Sequence, residues 1–277
     1  MLCLTAISVP LFRYFSMNIY NKNRLKAEQL FHEAEAQKRL LCSGTVPNPY
    51  VFNEQIYLDH ASWIPPGLKA LGDVNGMTLL DWGCGHGMAS VVLARRGARV
   101  ISIDLSHGYA LETQNRSFAN QVKLFPIQAD ACRLPLAKYS IDAVWGNAIL
   151  HHLPSIESAK ELQRILKPGG KVVLCEPWQG SRIIQFARNY LPYPGKKRTK
   201  DEVPLNLDFL HSFIRYFNFV KISYWDFLGS VSRLIPLGAI RQPLWKLDQR
   251  LISKYELIGK ASRYIMIECT TFANELE

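Results

Sequence analysis

Residues 77–87 read Met77-Thr78-Leu79-Leu80-Asp81-Trp82-Gly83-Cys84-Gly85-His86-Gly87. A short apolar run ends on an acid and passes at once into three glycines at alternate positions, after which Met88 to Arg96 has helical spacing. This is the pattern of a buried strand, a glycine turn and a helix. Glycines let the backbone approach a ligand closely, and a helix N-terminus presents free N–H groups. The glycine spacing is G-x-G-x-G, not the G-x-G-x-x-G of dinucleotide-binding turns. Taken alone, such a turn also fits an ordinary tight bend.

Working outward, short apolar runs alternate with longer amphipathic ones, as in βαβ units around a parallel sheet. Strands are predicted at Met77 to Trp82, Arg99 to Asp104, Lys123 to Gln128, Ile141 to Trp145 and Lys171 to Glu176. Helices are predicted at Met88 to Arg96, Tyr109 to Asn120 and Ser155 to Leu166, with a turn at Pro168-Gly169-Gly170. The runs are rich in β-branched and aliphatic residues, as suits strands covered on both faces. Upstream, Asn21 to Leu41 reads as a polar helix, and residues 44–76 read as irregular. Downstream come helices over Gly180 to Tyr190 and Leu207 to Arg215, then strands over Phe219 to Trp225 and Arg263 to Thr270. The stretch Leu228 to Ala261 is longer than an ordinary connection and alternates Leu, Ile and Trp with Arg and Lys.

Three acids stand at predicted strand ends: Asp81, then Asp104 twenty-three residues on, then Asp130. Ligands bind at the carboxyl edge of open α/β sheets, and an acid at the end of the second strand can accept hydrogen bonds from both hydroxyls of a ribose. The plainer reading of Asp104 is an N-cap for the helix that follows, but its distance from the glycine turn favours the ribose. Asp130 can hold an adenine amino group beside the Ala131 N–H.

Five segments in order carry a family resemblance: Asp81 to Gly87, Ile103-Asp104-Leu105-Ser106, Ala129-Asp130-Ala131, Asn147 to Leu153 and Leu166 to Lys171. Together they resemble the motifs of class I S-adenosylmethionine-dependent methyltransferases, in the small-molecule branch of the ubiquinone and menaquinone enzymes. The resemblance spans residues 77–177. A weaker likeness lies in Leu30-Phe31-His32-Glu33 and in Thr199-Lys200-Asp201-Glu202. It implies a Rossmann-like α/β fold: a seven-stranded, mostly parallel sheet with helices on both faces and the last strand antiparallel. It also implies S-adenosyl-L-methionine as cofactor. Asp81, Gly83, Cys84, Gly85 and Gly87 would shape the methionine end, Asp104 and Leu105 the ribose, Asp130 and Ala131 the adenine, and Asn147 the end of the fourth strand.

Methyl transfer from a sulfonium is an in-line displacement, in which placement of the acceptor matters most. His151, His152 and Glu176 are the candidates for handling an acceptor proton. Each has a plainer reading, as a packed loop residue for the histidines and as a helix N-cap for Glu176. The segment 228–261 and the N-terminal helix are candidates to cover a hydrophobic acceptor, and the former also suits peripheral contact with a membrane. Residues 1–20 stand outside the expected fold, 21–76 form an N-terminal helix and substrate-side cap, and 77–277 form the catalytic domain. Met17 precedes the first helical stretch and is an expected translation start.

Thirty-three Lys and Arg against 23 Asp and Glu give a net charge of +10, with one compact cluster at Lys196, Lys197, Arg198 and Lys200. That charge favours encounter with anions in general. No N-P-P-Y or D-P-P-Y type motif occurs at residues 144–151, so a nucleic-acid methyltransferase is a secondary reading. A non-catalytic interaction platform is a third, opposed by the intact glycines and acids. The six cysteines include no C-x-x-C pair, so no metal site or disulfide framework is expected, and a reducing, cytoplasmic location is.

Overall fold

The computed structural model describes residues 26–38, 49–180, 204–228 and 241–273. Residues 1–20, the expected 180–190 helix, the basic cluster and most of 228–240 lie outside the described residues. Helix α1 spans residues 26–38. It is followed by α2 (Glu54–Leu58), α3 (Ile64–Leu71), β1 (Thr78–Trp82), α4 (Met88–Arg95), β2 (Arg99–Asp104), α5 (His107–Ala119), β3 (Leu124–Gln128) and β4 (Ile141–Asn147). A single 3₁₀ turn at Leu150–His152 leads to α6 (Ser155–Ile165), β5 (Leu166–Pro177), α7 (Leu207–Ile214), β6 (Val220–Trp225), α8 (Arg241–Lys254), α9 (Glu256–Lys260) and β7 (Tyr264–Thr270).

The strands form one seven-stranded sheet in the order β3-β2-β1-β4-β5-β7-β6. β1 to β5 are parallel, and β7 lies antiparallel between β5 and β6. The alternation of a pleated strand explains the two cores. Leu79 joins Trp145 and Val173 beneath α2, α3 and α4. Its neighbours Leu80 and Trp82 join Val144 and Val172 beneath α6 and α7. Trp82 and Trp145 are fully buried on opposite faces, and each such side chain contributes on the order of 2–3 kcal/mol through burial. Both faces of the sheet are therefore covered by helices, as the apolar strands required.

Two stretches differ from the sequence reading. Residues 44–76 are not irregular throughout, because α2 and α3 lie within them. Pro65 and Pro66 occupy the first turn of α3, where a missing N–H leaves nothing unsatisfied. Gly67 is needed there because a Cβ would stand 2.7 Å from the Trp145 ring on β4. The turn expected at Pro168-Gly169-Gly170 is an irregularity inside a single strand. Leu166 pairs with Ile141, but the next pair is Lys171 with Ala143, so the intervening residues are taken up as a bulge. Thr271 holds that bulge, donating from its hydroxyl to the Lys167 carbonyl at 2.8 Å and from its N–H to the Gly170 carbonyl at 2.9 Å.

Candidate active site

The carboxyl ends of β1, β2, β3 and β4 open into one cavity of about 350 Å³. Asp81, Gly83, Cys84, Gly85, Asp104, Leu105, Asp130, Ala131, Asn147 and His152 all line it. The chain as a whole is basic, yet this cavity carries three aspartates from three successive strand ends, an electrostatic setting that favours a cation.

The glycine turn gives the cavity its floor. Gly83, Gly85 and Gly87 all have positive φ, and Gly87 is the left-handed N-cap of α4. A Cβ on Gly83 would stand 2.8 Å from the Ile149 side chain, and one on Gly87 would stand 2.6 Å from the Thr113 hydroxyl oxygen. At Gly85 there is no atom within 4 Å of the Cβ position, so that glycine keeps space open and lines the cavity. Arg116 secures the turn from behind. Its guanidinium donates to the His86 carbonyl at 2.7 Å and to the Tyr50 carbonyl at 3.0 Å.

Asp81 is almost wholly buried and accepts from the Ser90 hydroxyl, which also meets Ser102 at 2.8 Å. Burial raises its pKa to about 7, and the nearby charge of Asp104 adds to this, while the Ser90 hydrogen bond works the other way. Asp104 accepts from the Gly85 N–H and the Ser106 N–H, both at 2.9 Å. Burial raises its pKa, and those two backbone donors oppose the rise. Capping α5 falls instead to Ser106, whose hydroxyl oxygen accepts from the Tyr109 N–H. Asp130 accepts from the Cys132 N–H at 2.9 Å. The Ala131 carbonyl accepts from the Trp82 indole at 3.1 Å, which fixes that stretch against the sheet. The Asn147 amide oxygen accepts from the Trp63 indole at 3.2 Å, and Trp63 stacks on Tyr264 with ring centroids 3.9 Å apart. Burial pushes the Cys84 thiol well up, so it is a neutral, packed group.

The three proton-handling candidates fall in two places. His151 and Glu176 are buried together away from the cavity lining, with His151 Nδ1 2.8 Å from a Glu176 oxygen. Glu176 also accepts from the Ile149 and Leu150 N–H groups at 2.9 and 2.8 Å, so it ties the loop after β4 to the end of β5. That loop needs a tie, because Ala148 sits at φ 58, strained for a residue with a Cβ. His152 faces the cavity. Its Nδ1 lies 3.2 Å from Oε1 of Glu28 on α1, and the other oxygen of Glu28 lies 3.5 Å from His32 Nε2. Burial works to raise the Glu28 pKa, but the hydrogen bonds and charge of His152 and His32 outweigh it and hold the carboxyl well below its ordinary range.

Several lining residues were not legible in the sequence: Glu28, Tyr57, His60, Met88 and Tyr109. The signals for this wall were the reading of residues 21–76 as a substrate-side cap and the likeness around His32. α1 is anchored through Glu33, which accepts from the Ser106 hydroxyl at 2.8 Å and the Gly108 N–H at 3.0 Å. The described part of the 228–261 stretch packs against β6 instead. Asp248 on α8 accepts from the N–H groups of Asp226, Phe227 and Leu228, and Gly259 on α9 abuts the Tyr224 ring. Among the described residues, nothing beyond Leu153 lines the cavity, and no helix is long and apolar enough to cross a membrane.

Comparison with known proteins agrees with this geometry. Residues 80–174 match the family model described as a methyltransferase domain. The demethylmenaquinone methyltransferase of Clavibacter sepedonicus is 38% identical over 117 residues, which are 41% of this chain and 46% of that protein. The malonyl-[acyl-carrier protein] O-methyltransferase of Methylovorus sp. (strain MP688) is 40% identical over 100 residues, 33% of this chain and 34% of that one. The chain thus spans less than half the length of either curated relative. Among solved structures, the geranyl diphosphate C-methyltransferase of Streptomyces coelicolor A3(2), in complex with Mg2+, geranyl diphosphate and S-adenosyl-L-homocysteine, is 17% identical. It aligns over 74% of this chain and 77% of its own with a TM-score of 0.51, a likeness of fold. The glycine turn, the strand-end aspartates, the strand order and the matched segment agree: residues 80–174 carry a methyltransferase domain, set in a Rossmann-like seven-stranded sheet.

Proposed function

We propose that the protein transfers the methyl group of S-adenosyl-L-methionine to a small, hydrophobic acceptor such as a quinone, phenol or isoprenoid. The observation that carries this reading is the meeting of Asp81, Asp104 and Asp130 with the Gly83-Cys84-Gly85 turn around one cavity. The cofactor is a cation with a ribose and an adenine, and the residues present fit it. The two oxygens of Asp104 accept from the Gly85 and Ser106 N–H groups, and a carboxylate has about four acceptor positions, which leaves room for a ribose hydroxyl. Gly85 leaves open the space that a Cβ would fill. Asp81 faces the methionine end, and Asp130 with Ala131 faces the adenine.

When bound, the cofactor supplies an electrophilic methyl group on sulfur. The protein's own part is to place the acceptor in line with it and to keep water out. Tyr57, Met88, Ile149 and Leu153 give the cavity apolar walls, which supports a hydrophobic acceptor. Of the three proton-handling candidates, His152 is the one positioned to activate the acceptor; His151 and Glu176 hold the loop that positions it. The acceptors named for the curated relatives, demethylmenaquinone in one and a malonyl-[acyl-carrier protein] in the other, support the chemistry more than any single substrate. The free cysteines Cys84, Cys132, Cys175 and Cys269 support a reducing, cytoplasmic setting.

The test is calorimetric titration with S-adenosylmethionine and, separately, NAD, for wild type and Asp104→Ala. Hydrogen bonds to a charged group contribute about 1.5–3 kcal/mol each. Saturable binding of the sulfonium cofactor alone, weakened by roughly 10- to 100-fold in the variant, is expected, and a variant that binds as wild type does would overturn the ribose assignment. Folded wild-type protein that ignores the cofactor would overturn the function.

A further inference from the structure

We propose that Glu28, His32 and His152 form a site for one divalent transition-metal ion at the acceptor side of the cavity. Glu28 and His32 are four residues apart on α1, which places both on one helix face. His152 reaches them from the turn after β4, across 124 positions of chain. One carboxylate oxygen and one ring nitrogen from each histidine lie within 4.8 Å of one another.

The distances admit a coordination site as well as the hydrogen bonds and ion pairs these groups make with one another. Charge-assisted N–H···O bonds close to about 2.7–2.9 Å, whereas here the two Glu28 oxygens stand 3.2 Å from His152 Nδ1 and 3.5 Å from His32 Nε2. Ligands about 2.0–2.1 Å from a tetrahedral ion are separated by about 3.4 Å. The two imidazole rings lie edge to face, with centroids 6.0 Å apart and planes at 81°. His151 is excluded from the set, because its Nδ1 is committed to Glu176.

The donor chemistry names the class of ion. Two nitrogens and one carboxylate suit Zn2+, Fe2+, Co2+ or Ni2+, whereas Mg2+ and Ca2+ prefer oxygen alone. Two neutral imidazoles and one carboxylate leave a divalent ion with a net positive charge, and Asp81, Asp104 and Asp130 line the same cavity. Three protein ligands leave at least one position open toward that cavity. An acceptor oxygen bound there would be polarised and its hydroxyl acidified. This last role, unlike the site itself, rests on the methyl-transfer reading.

The experiment is a titration of chelator-treated full-length protein with ZnCl2 and CoCl2, followed by calorimetry and by the Co2+ visible spectrum. His32→Ala, Glu28→Gln and the double variant His32→Ala/His152→Ala are compared with wild type. Stoichiometric 1:1 binding is expected, with a Co2+ spectrum of four or five nitrogen and oxygen ligands. The double variant is expected to lose more than the roughly 10- to 100-fold in affinity that removal of an outer partner costs. Wild-type far-ultraviolet circular dichroism and cooperative thermal melting show that the variants are folded. If they are not, 15N-histidine NMR of wild type decides, since Zn2+ should move two of the seven histidines. Absence of 1:1 binding, binding that persists in the folded double variant, or a thiolate-type Co2+ spectrum would overturn the site. Because cofactor binding is measured separately, failure here is distinct from failure of the methyl-transfer reading.

Discussion

Gly85 separates a backbone requirement from a ligand requirement, because its φ is 50° and its Cβ direction meets no protein atom within 4 Å. Gly85→Ala therefore carries only the left-handed penalty of about 1–2 kcal/mol, a fall in Tm of roughly 2–4 °C per kcal/mol. Cofactor affinity is expected to fall by at least about tenfold in calorimetry, since the added methyl occupies the floor of the cavity; unchanged affinity would move the ligand elsewhere. Asp81 gives a pH dependence. Its pKa, about 7, lies above the ordinary carboxylate value of 3.8, with Asp104, Tyr57 and Cys84 the ionisable groups around it. Stability linked to its protonated form is present at low pH and is lost as pH rises through 7. A cation prefers the ionised form, so S-adenosylmethionine should bind more tightly at pH 8 than at pH 6 and release a proton on binding near neutrality. Calorimetry in buffers of different ionisation enthalpy reads that proton, and in Asp81→Asn the release should disappear.

Helices attached by a few polar contacts make element-level tests clean. Glu33 ties α1 to the start of α5 through Ser106 and Gly108. Gly108 permits close docking, since a Cβ there would stand 2.8 Å from the Ala36 Cβ. Glu33→Ala should speed hydrogen exchange across residues 26–38 while the sheet stays protected; slow exchange there would mean that packing alone holds the helix. At the other end, Asp248 is the shared acceptor for three backbone N–H groups after β6. Asp248→Ala strands those donors and should destabilise the fold by about 1–3 kcal/mol in denaturant titration, leaving cofactor affinity as in wild type. A change in affinity would connect the 241–261 helices to the cavity despite their packing on β6.

The central half of the molecule was legible because its signals are local. A strand, its glycine turn and the following helix occupy neighbouring residues, and Asp81, Asp104 and Asp130 follow from a repeated unit whose strands all point the same way. Where the reading missed, a tertiary contact had decided the outcome. The prolines of α3 looked like loop punctuation until their first-turn position was known, and the bulge in β5 depends on pairing with β4 and β7. The cavity wall made by Glu28, Tyr57 and His60 comes from tertiary docking, across 124 positions of chain between Glu28 and His152, which no local pattern encodes. Glu176 was placed at the right strand end, but its partners are backbone N–H groups that only the folded loop presents.

The position of β7 also bears on how the chain can be made. It is the last of the described strands to leave the ribosome, yet it lies between β5 and β6. Until residue 270 has emerged, the nascent sheet offers an unpaired β5 border, with fully buried Val172, Val173 and Leu174 along it in the finished protein. Open apolar borders recruit other chains. A product stopped before residue 263 is therefore expected to gather into aggregates rather than persist as a smaller enzyme, although every described cavity residue has by then been synthesised.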